Sequence, residues 1–258
     1  MIATRVTRLG SKSLAVLVLI VLISWVGSAG ATTLFTENFE IYAAGSNLVG
    51  QGGWVEGYDG GSVLTVQGGT NLTTQVLDGL NIRPNGDMNV ADHAVTFSTN
   101  SNAITTLSFN AYAKSSNSNN MMVSFDDTLG NNASAFGVGW YYWSGYWVFT
   151  SGSSSDYISG GYDKNVTMSI VVDGTNNKVY GVYNFGSGAV ETTRFDITDE
   201  QIASLEDVRI FIDNRFCLGM EVDNILVTDN QTSVPEPATM FLLGLGLVGL
   251  AGVRRKIQ

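Results

Sequence analysis

The stretch "ITTLSFNAYAK" at 104–114 sets Leu107, Phe109 and Ala111 on one side of an extended chain and Ser108, Asn110 and Tyr112 on the other. A period of two is the signature of a β-strand, whose successive side chains point to opposite faces. One apolar face must be covered, so a strand of this kind demands a second packed layer. Comparable runs recur along the chain as "SVLTVQ", "AVTFS", "MMVSFDD", "AFGVGWYY", "YWVFTS", "VTMSIVVDG", "KVYGVYNFG", "VETTRFDI", "VRIFIDN" and "MEVDNILVT". Thirty glycines and many Asn and Ser residues punctuate them. "DGTNN" at 173–177 is turn chemistry between two alternating runs and predicts a hairpin. Thr198 followed by Gln201 three positions later is a capping-box pattern, which predicts one short surface helix before the last two strands. No repeat of fixed period is present. The expected fold is all-β, a two-sheet antiparallel sandwich of the jelly-roll kind with one short helix.

The two ends follow a different pattern. Arg5, Arg8 and Lys12 precede the apolar run "LAVLVLIVLISWVG", and small residues at Ala29 and Ala31 offer a cleavage site before Thr32. This is the three-part layout of a secretory signal peptide, the alternative being an uncleaved membrane anchor. Near the other end, Met240 to Val253 are all apolar or glycine, about 14 residues where about 20 cross a bilayer comfortably. Arg254, Arg255 and Lys256 follow, placed to snorkel and to hold their end on the cytoplasmic side. Physically the segment is a weak membrane anchor or a handle kept until a processing enzyme acts.

Val234-Pro235-Glu236-Pro237-Ala238-Thr239, then the apolar run, then the arginines, resemble the PEP-CTERM sorting signal in motif, span and order. The resemblance implies a Gram-negative bacterium, export through the inner membrane, and recognition and removal of the tail by an exosortase-type transpeptidase. It also implies a cell-surface or extracellular-matrix location near extracellular polysaccharide, with Pro235, Glu236, Pro237, Arg254 and Arg255 carrying the signal. The expected organisation is a signal peptide at 1–31, a β-sandwich domain at 32–234 and the sorting signal, with a short transmembrane segment and a basic end, at 235–258. The central segment, roughly 200 residues long, is enough for one sizeable core.

Six of the 13 basic residues lie in the two ends, so the exported segment keeps seven against 22 acidic ones. Such a balance excludes a surface that tracks nucleic-acid phosphates. Cys217 is the sole cysteine, so the domain has no internal disulfide, and its apolar setting fits a buried inert thiol. His93 is the sole histidine, which removes zinc-type metal sites.

"FTENFEIYAAGSNLVGQGGWVEG", "VTMSIVVDGTNNKVYGVYN" and "MEVDNILVT" in succession resemble concanavalin A-like, LamG-like jelly rolls over roughly residues 34–228. That fold hosts lectins, polysaccharide hydrolases, lyases and adhesion modules alike. Glucanases of family 16 carry Glu-x-Asp-x-x-Glu on one strand, because alternation then puts the outer carboxylates on the cleft side. The nearest match is Glu221-Val222-Asp223 with Leu226 where the second essential Glu belongs, so no catalytic residue is assigned. A Ser-His-Asp triad fails as well, since Asp92 and His93 are adjacent and point to opposite faces of a strand.

Two candidate sites are left. Calcium takes carboxylate and backbone oxygens, and many jelly-roll carbohydrate modules hold one between their first and last strands. By that resemblance Glu40, at the end of the first strand, and Asp223 are candidate ligands of a structural calcium, against the reading of two solvated acids. The densest aromatic stretch is "WYYWSGYWVF", where alternation cannot bury every ring. Trp140, Tyr142, Trp143 and Trp147 are accordingly candidate stacking partners for a sugar, against the reading of cross-strand aromatic pairs that stabilise a hairpin. The expectation is a non-catalytic polysaccharide-binding or structural protein. The alternatives are a hydrolase or lyase with carboxylates assembled from separate strands, and an adhesion or scaffold module that binds proteins.

Overall fold

Alternation decides the architecture wherever it is strongest. In the computed structural model, Leu107, Phe109 and Ala111 are buried in the core, and Ser108 and Asn110 are half-buried on the opposite face. The structure describes residues 30–57, 64–69, 72, 75–78, 89–97, 103–113, 120–127, 135–141, 145–213 and 220–231. These form one compact unit from Ala31 to Gln231. Among them the first strands are β1 (Thr32–Glu37), β2 (Val55–Glu56), β3 (Thr65–Gly68), β4 (Gln75–Asp78), β5 (Asn89–Ala94) and β6 (Ala103–Ala113). A meander follows, β7 (Asn120–Asp127), β8 (Phe136–Tyr141), β9 (Tyr146–Ser151) and β10 (Ser154–Ile158). The chain continues through β11 (Asn165–Asp173), β12 (Lys178–Asn184), β13 (Ala189–Glu191) and β14 (Phe195–Asp196). It closes with helix α1 (Asp199–Ala203), β15 (Leu205–Asp213) and β16 (Met220–Gln231).

Among the described residues all pairings are antiparallel and fall into two sheets. One runs β13-β12-β11-β6-β16-β4-β3, with β1 also on β16 and β14 also on β12. The other runs β10-β9-β8-β7-β15-β5-β2. β1 and β4 share one edge of β16, β1 against Ile225–Asp229 and β4 against Glu221–Val222. The break between them is a register shift at Asp223/Leu226, where Asn224 takes φ 53°. Asp223 accepts from the Asn224 backbone N–H and side-chain amide at 2.7 Å each, which holds that bulge.

A single cluster of buried side chains from both sheets fills the sandwich, including Phe109, Phe125, Trp140, Trp147, Phe149, Ile170 and Val227. Gly181 on β12 faces Phe149 on β9, and a side-chain carbon there would lie 3.1 Å from the Phe149 ring stem. The missing side chain lets the sheets close at that point. The predicted hairpin joins β11 and β12 through Asp173, whose carboxylate accepts from Asn176, with Asn177 at φ 51°. The capping box on α1 is also present, Thr198 accepting from the Gln201 N–H while Gln201 accepts from the Thr198 N–H.

Two expectations need correcting. The strand expected at "AVTFS" ends at Ala94, and Val95 to Phe97 are irregular. The strand expected over "VETTRFDI" is two short ones: the Thr192 N–H still donates to the Gly181 carbonyl at 2.9 Å, but the Gly181 N–H turns to the Thr192 hydroxyl at 2.8 Å instead of a backbone carbonyl, and the ladder stops there.

Candidate functional site

The aromatic hairpin is β8–β9, and its register fixes which rings meet solvent. Trp140 stands opposite Trp147, and Tyr141 opposite Tyr146. Phe136, Val138 and Trp140 share one parity and enter the core; Gly137, Gly139 and Tyr141 share the other. Trp140 and Trp147 are therefore buried, 1% and 0% exposed, and meet edge to face at 5.2 Å. The Trp147 indole donates to the Gly161 carbonyl at 3.2 Å, and Tyr162 closes over Trp140 at 4.9 Å. These two tryptophans are core residues and offer no face to a sugar, which corrects the expectation. Tyr142 and Trp143 lie outside the described residues.

The opposite parity is exposed instead. Tyr141 is 39% exposed, Tyr146 43% and Tyr157, on the neighbouring β10, 50%. Tyr157 pairs with Val148, so it stands on the same face as Tyr146, and the two rings meet at 6.4 Å. The Ser155 hydroxyl donates to the Tyr157 oxygen at 3.3 Å. Three adjacent strands thus present three tyrosines on the outer face of the seven-stranded sheet. Sequence reasoning missed Tyr157 because "SSSDYISG" reads as a loop; the alternation of Ser155 and Tyr157 is the signal it carried.

The same face continues across the sheet. Ser155, Thr150, Gly137, Ser124, Arg209 and Asp92 stand opposite one another in one row from β10 to β5. Met122 stands on this face too, and its sulfur lies where a side-chain carbon of Gly137 would be. At the far side, about 19 Å from Tyr157 by four strand spacings, the row becomes charged. Arg209 donates from Nε and Nη2 to the two Asp92 oxygens at 2.8 and 2.9 Å and also pairs with Asp126. Asp207 stands opposite Asp126, and carboxylate oxygens of Asp92, Asp126 and Asp207 lie within 4.8 Å of one another. Burial, then the charges of Asp92 and Glu206, push the Asp207 carboxyl above its ordinary value. Arg209 supplies the positive charge that this group needs, so the arrangement reads first as an ion-pair network. No alternation within one strand announces it, since its members come from β5, β7 and β15.

The two acids expected to hold calcium both make hydrogen bonds within the chain. Glu40 lies beyond the end of β1 in a turn, exposed, where its Oε1 accepts from the Gln75 N–H at 2.7 Å. Asp223 is buried and serves the Asn224 bulge. Neither belongs to the acidic group. Glu221, at the other position of the glucanase-like run, accepts from the Leu72 N–H at 2.8 Å, beside the small cluster of Leu72, Val76 and Tyr112. Val222 between them points into the core, so both acids face away from the seven-stranded sheet.

Asp92 and His93 do part to opposite faces. His93 packs against Phe35 at 4.4 Å and Trp54 at 5.2 Å, with each ring nitrogen 2.9 Å from a carbonyl oxygen, of Ala94 and of Gly52. Beside it Glu37 is buried and accepts from Phe39 N–H, Tyr42 Oη and Trp54 Nε1 at 2.8, 2.6 and 3.1 Å. Burial and then the Glu37 carboxylate push the Tyr42 phenol up. These groups fasten the first loop to the sandwich. Cys217 and the basic and apolar ends lie outside the described residues, and no helix among the described residues is long and apolar enough to cross a membrane.

Comparison with protein families matches residues 233–256 to the PEP-CTERM protein-sorting motif. The chain carries a PEP-CTERM sorting signal. That signal marks a secreted protein processed at the cell envelope. No curated protein matches the chain. Among solved structures, an endo-1,3-beta-glucanase from Streptomyces sioyaensis is similar at 12% identity and TM-score 0.51, covering 79% of this chain and 98% of its own. The CBM2 module of the evolved Dit of Lactobacillus casei BL23 phage J-1 is similar at 7% identity and TM-score 0.50, over 78% of this chain and 96% of its own. Lectin II from Ulex europaeus gives 11% identity and TM-score 0.48, over 77% and 100%. At such identities the likeness is one of fold: this PEP-CTERM chain carries a two-sheet jelly roll of the concanavalin A-like kind.

Proposed function

We propose that this is an exported protein of the cell surface or extracellular matrix that binds polysaccharide without cleaving it, through the outer tyrosine face of its seven-stranded sheet. The observation that carries the reading is the set of Tyr141, Tyr146 and Tyr157, exposed on three adjacent strands of one face. An aromatic ring stacks on the apolar C–H face of a sugar while its hydroxyl meets ring hydroxyls, and a row of rings extends that contact along a chain. The PEP-CTERM signal supports delivery to the envelope and implies an exosortase as processing partner, with transient contact to the inner membrane.

Retention on immobilised polysaccharide tests the reading. Tyr146→Ala and Tyr157→Ala are each expected to weaken it about threefold to tenfold, from the ~0.5–1.5 kcal/mol scale of single aromatic contacts. Full retention in both variants would remove the tyrosines from the site.

A second reading, polysaccharide hydrolysis, is favoured by the acidic group. Two carboxyls about 5 Å apart, one acting as acid and one as nucleophile, are what a retaining glycosidase needs. Asp207, with its raised carboxyl, is the candidate acid beside Asp92. Release of sugar from the retained polysaccharide, abolished in Asp207→Asn, is the outcome that would establish it.

A further inference from the structure

We infer that the tyrosine face selects an uncharged polysaccharide and turns away polyanionic ones; this rests on the carbohydrate reading above and adds the class of ligand. The inference comes from where the positive charges among the described residues are, Arg83, Lys114 and Arg215 lying outside them. A uronate- or sulfate-bearing chain needs cations on the surface it lies on, since carboxylate and sulfate groups are recognised by Lys and Arg. Among the described residues of this outer face, the cation is Arg209, and it is already held by Asp92 on one side and Asp126 on the other. Asp207 adds a further acid to the same row.

The remaining described cations are placed elsewhere. Lys178 pairs with Asp196 across β12 and β14. Arg194 pairs with Glu191 at 2.8 Å and covers the Tyr180 ring at 4.1 Å, again beside β12. Lys164 immediately precedes β11, next to Asp163, which accepts from the Tyr112 hydroxyl of β6 at 3.0 Å. All three belong to the nine-stranded sheet and its loops.

The whole exported segment adds to the effect, with seven basic residues against 22 acidic ones. At low salt, where charges interact over roughly 30 Å, such a molecule repels a polyanion before contact; at 0.1 M the range falls to about 10 Å. Stacking on tyrosine faces requires no charge on the ligand and is nearly indifferent to salt.

Affinity electrophoresis of the full chain in a mild non-ionic detergent tests this, with a chelator present so that divalent cations do not bridge acids. The neutral probes are hydroxyethylcellulose, mannan and dextran; the acidic ones are alginate and hyaluronate. At about 10 mM salt a neutral gel is expected to retard the protein and the acidic gels are not. The double variant Tyr146→Ala/Tyr157→Ala is expected to lose at least about tenfold of the neutral retention, with its unfolding midpoint showing that it remains folded. Retardation by an acidic gel at low salt, equal to or above the neutral one and lost in the double variant, would overturn the inference and leave the carbohydrate reading standing. Retardation by none of the gels would overturn both.

Discussion

A single residue's parity separates the core from the candidate site. In "AFGVGWYY" one parity reads Phe136, Val138, Trp140 and the other Gly137, Gly139, Tyr141, and the bulky apolar set is the one that enters the sandwich. That signal stands in the sequence, and it places Trp140 in the core, against its expected role in stacking on a sugar. In "YWVFTS" no such signal decides, because Trp147 and Phe149 alternate with Tyr146 and Val148, and only pairing with β8 settles the face. Trp147→Ala is expected to destabilise the fold by about 3–5 kcal/mol, since it empties a large core volume. Tyr146→Ala, exposed, is expected to cost less than about 1 kcal/mol, and urea unfolding of the two variants compares them directly. Asp207 provides a pH test. Its carboxyl is raised in the folded state, so the ionised form lowers stability at neutral pH, and that penalty fades as pH falls toward the ordinary Asp value of about 3.9. Asp207→Asn should therefore raise the thermal midpoint at about pH 7, with the gain gone by about pH 3. A loss of stability at neutral pH instead would mean that ionised Asp207 is a needed partner in the Arg209 network.

At the scale of elements, local chemistry was readable wherever a side chain acts on its own neighbours. The α1 capping box and the Asp173 hairpin turn depend on residues within a few positions, and both are formed. β10 escaped because it is an edge strand of small polar residues, paired on one side to β9. Its Asp156 accepts from the Thr193 N–H at 2.6 Å, which lowers the Asp156 carboxyl and ties the strand to a segment distant in sequence. Such a tie has no signature in "SSSDYISG". The β7–β8 pair carries a further prediction. A side-chain carbon at Gly139 would run into the Met121 carbonyl of β7, a backbone atom that cannot turn aside. Gly139→Ala is expected to lower stability by about 1–3 kcal/mol in chemical denaturation, as overpacking does. An unchanged midpoint would mean that the two strands part easily at that point.

For the molecule as a whole, the sequence specifies a two-layer β fold, but strand order comes from crossovers that no local pattern encodes. Asp92, Asp126 and Arg209 meet because β5 and β7 both flank β15, a neighbourhood that joins parts of the chain far apart in sequence. The acidic group was therefore invisible from any one strand, while the glucanase-like run around Glu221 drew notice and proved to serve the opposite sheet. Removing Arg209 leaves buried acids facing one another, and Arg209→Ala is expected to destabilise by about 3–5 kcal/mol, read from the denaturation midpoint. The central claim is that one face of the sandwich holds polysaccharide through exposed tyrosines and does not cut it. Its most direct test incubates the full chain with insoluble neutral polysaccharide and reads bound protein and released sugar from the same tube, for the parent and for Tyr146→Ala/Tyr157→Ala. The account predicts binding by the parent, no released sugar, and binding reduced at least about tenfold in the double variant, as two lost stacking contacts imply. Released sugar, or equal binding by the two proteins, would contradict it.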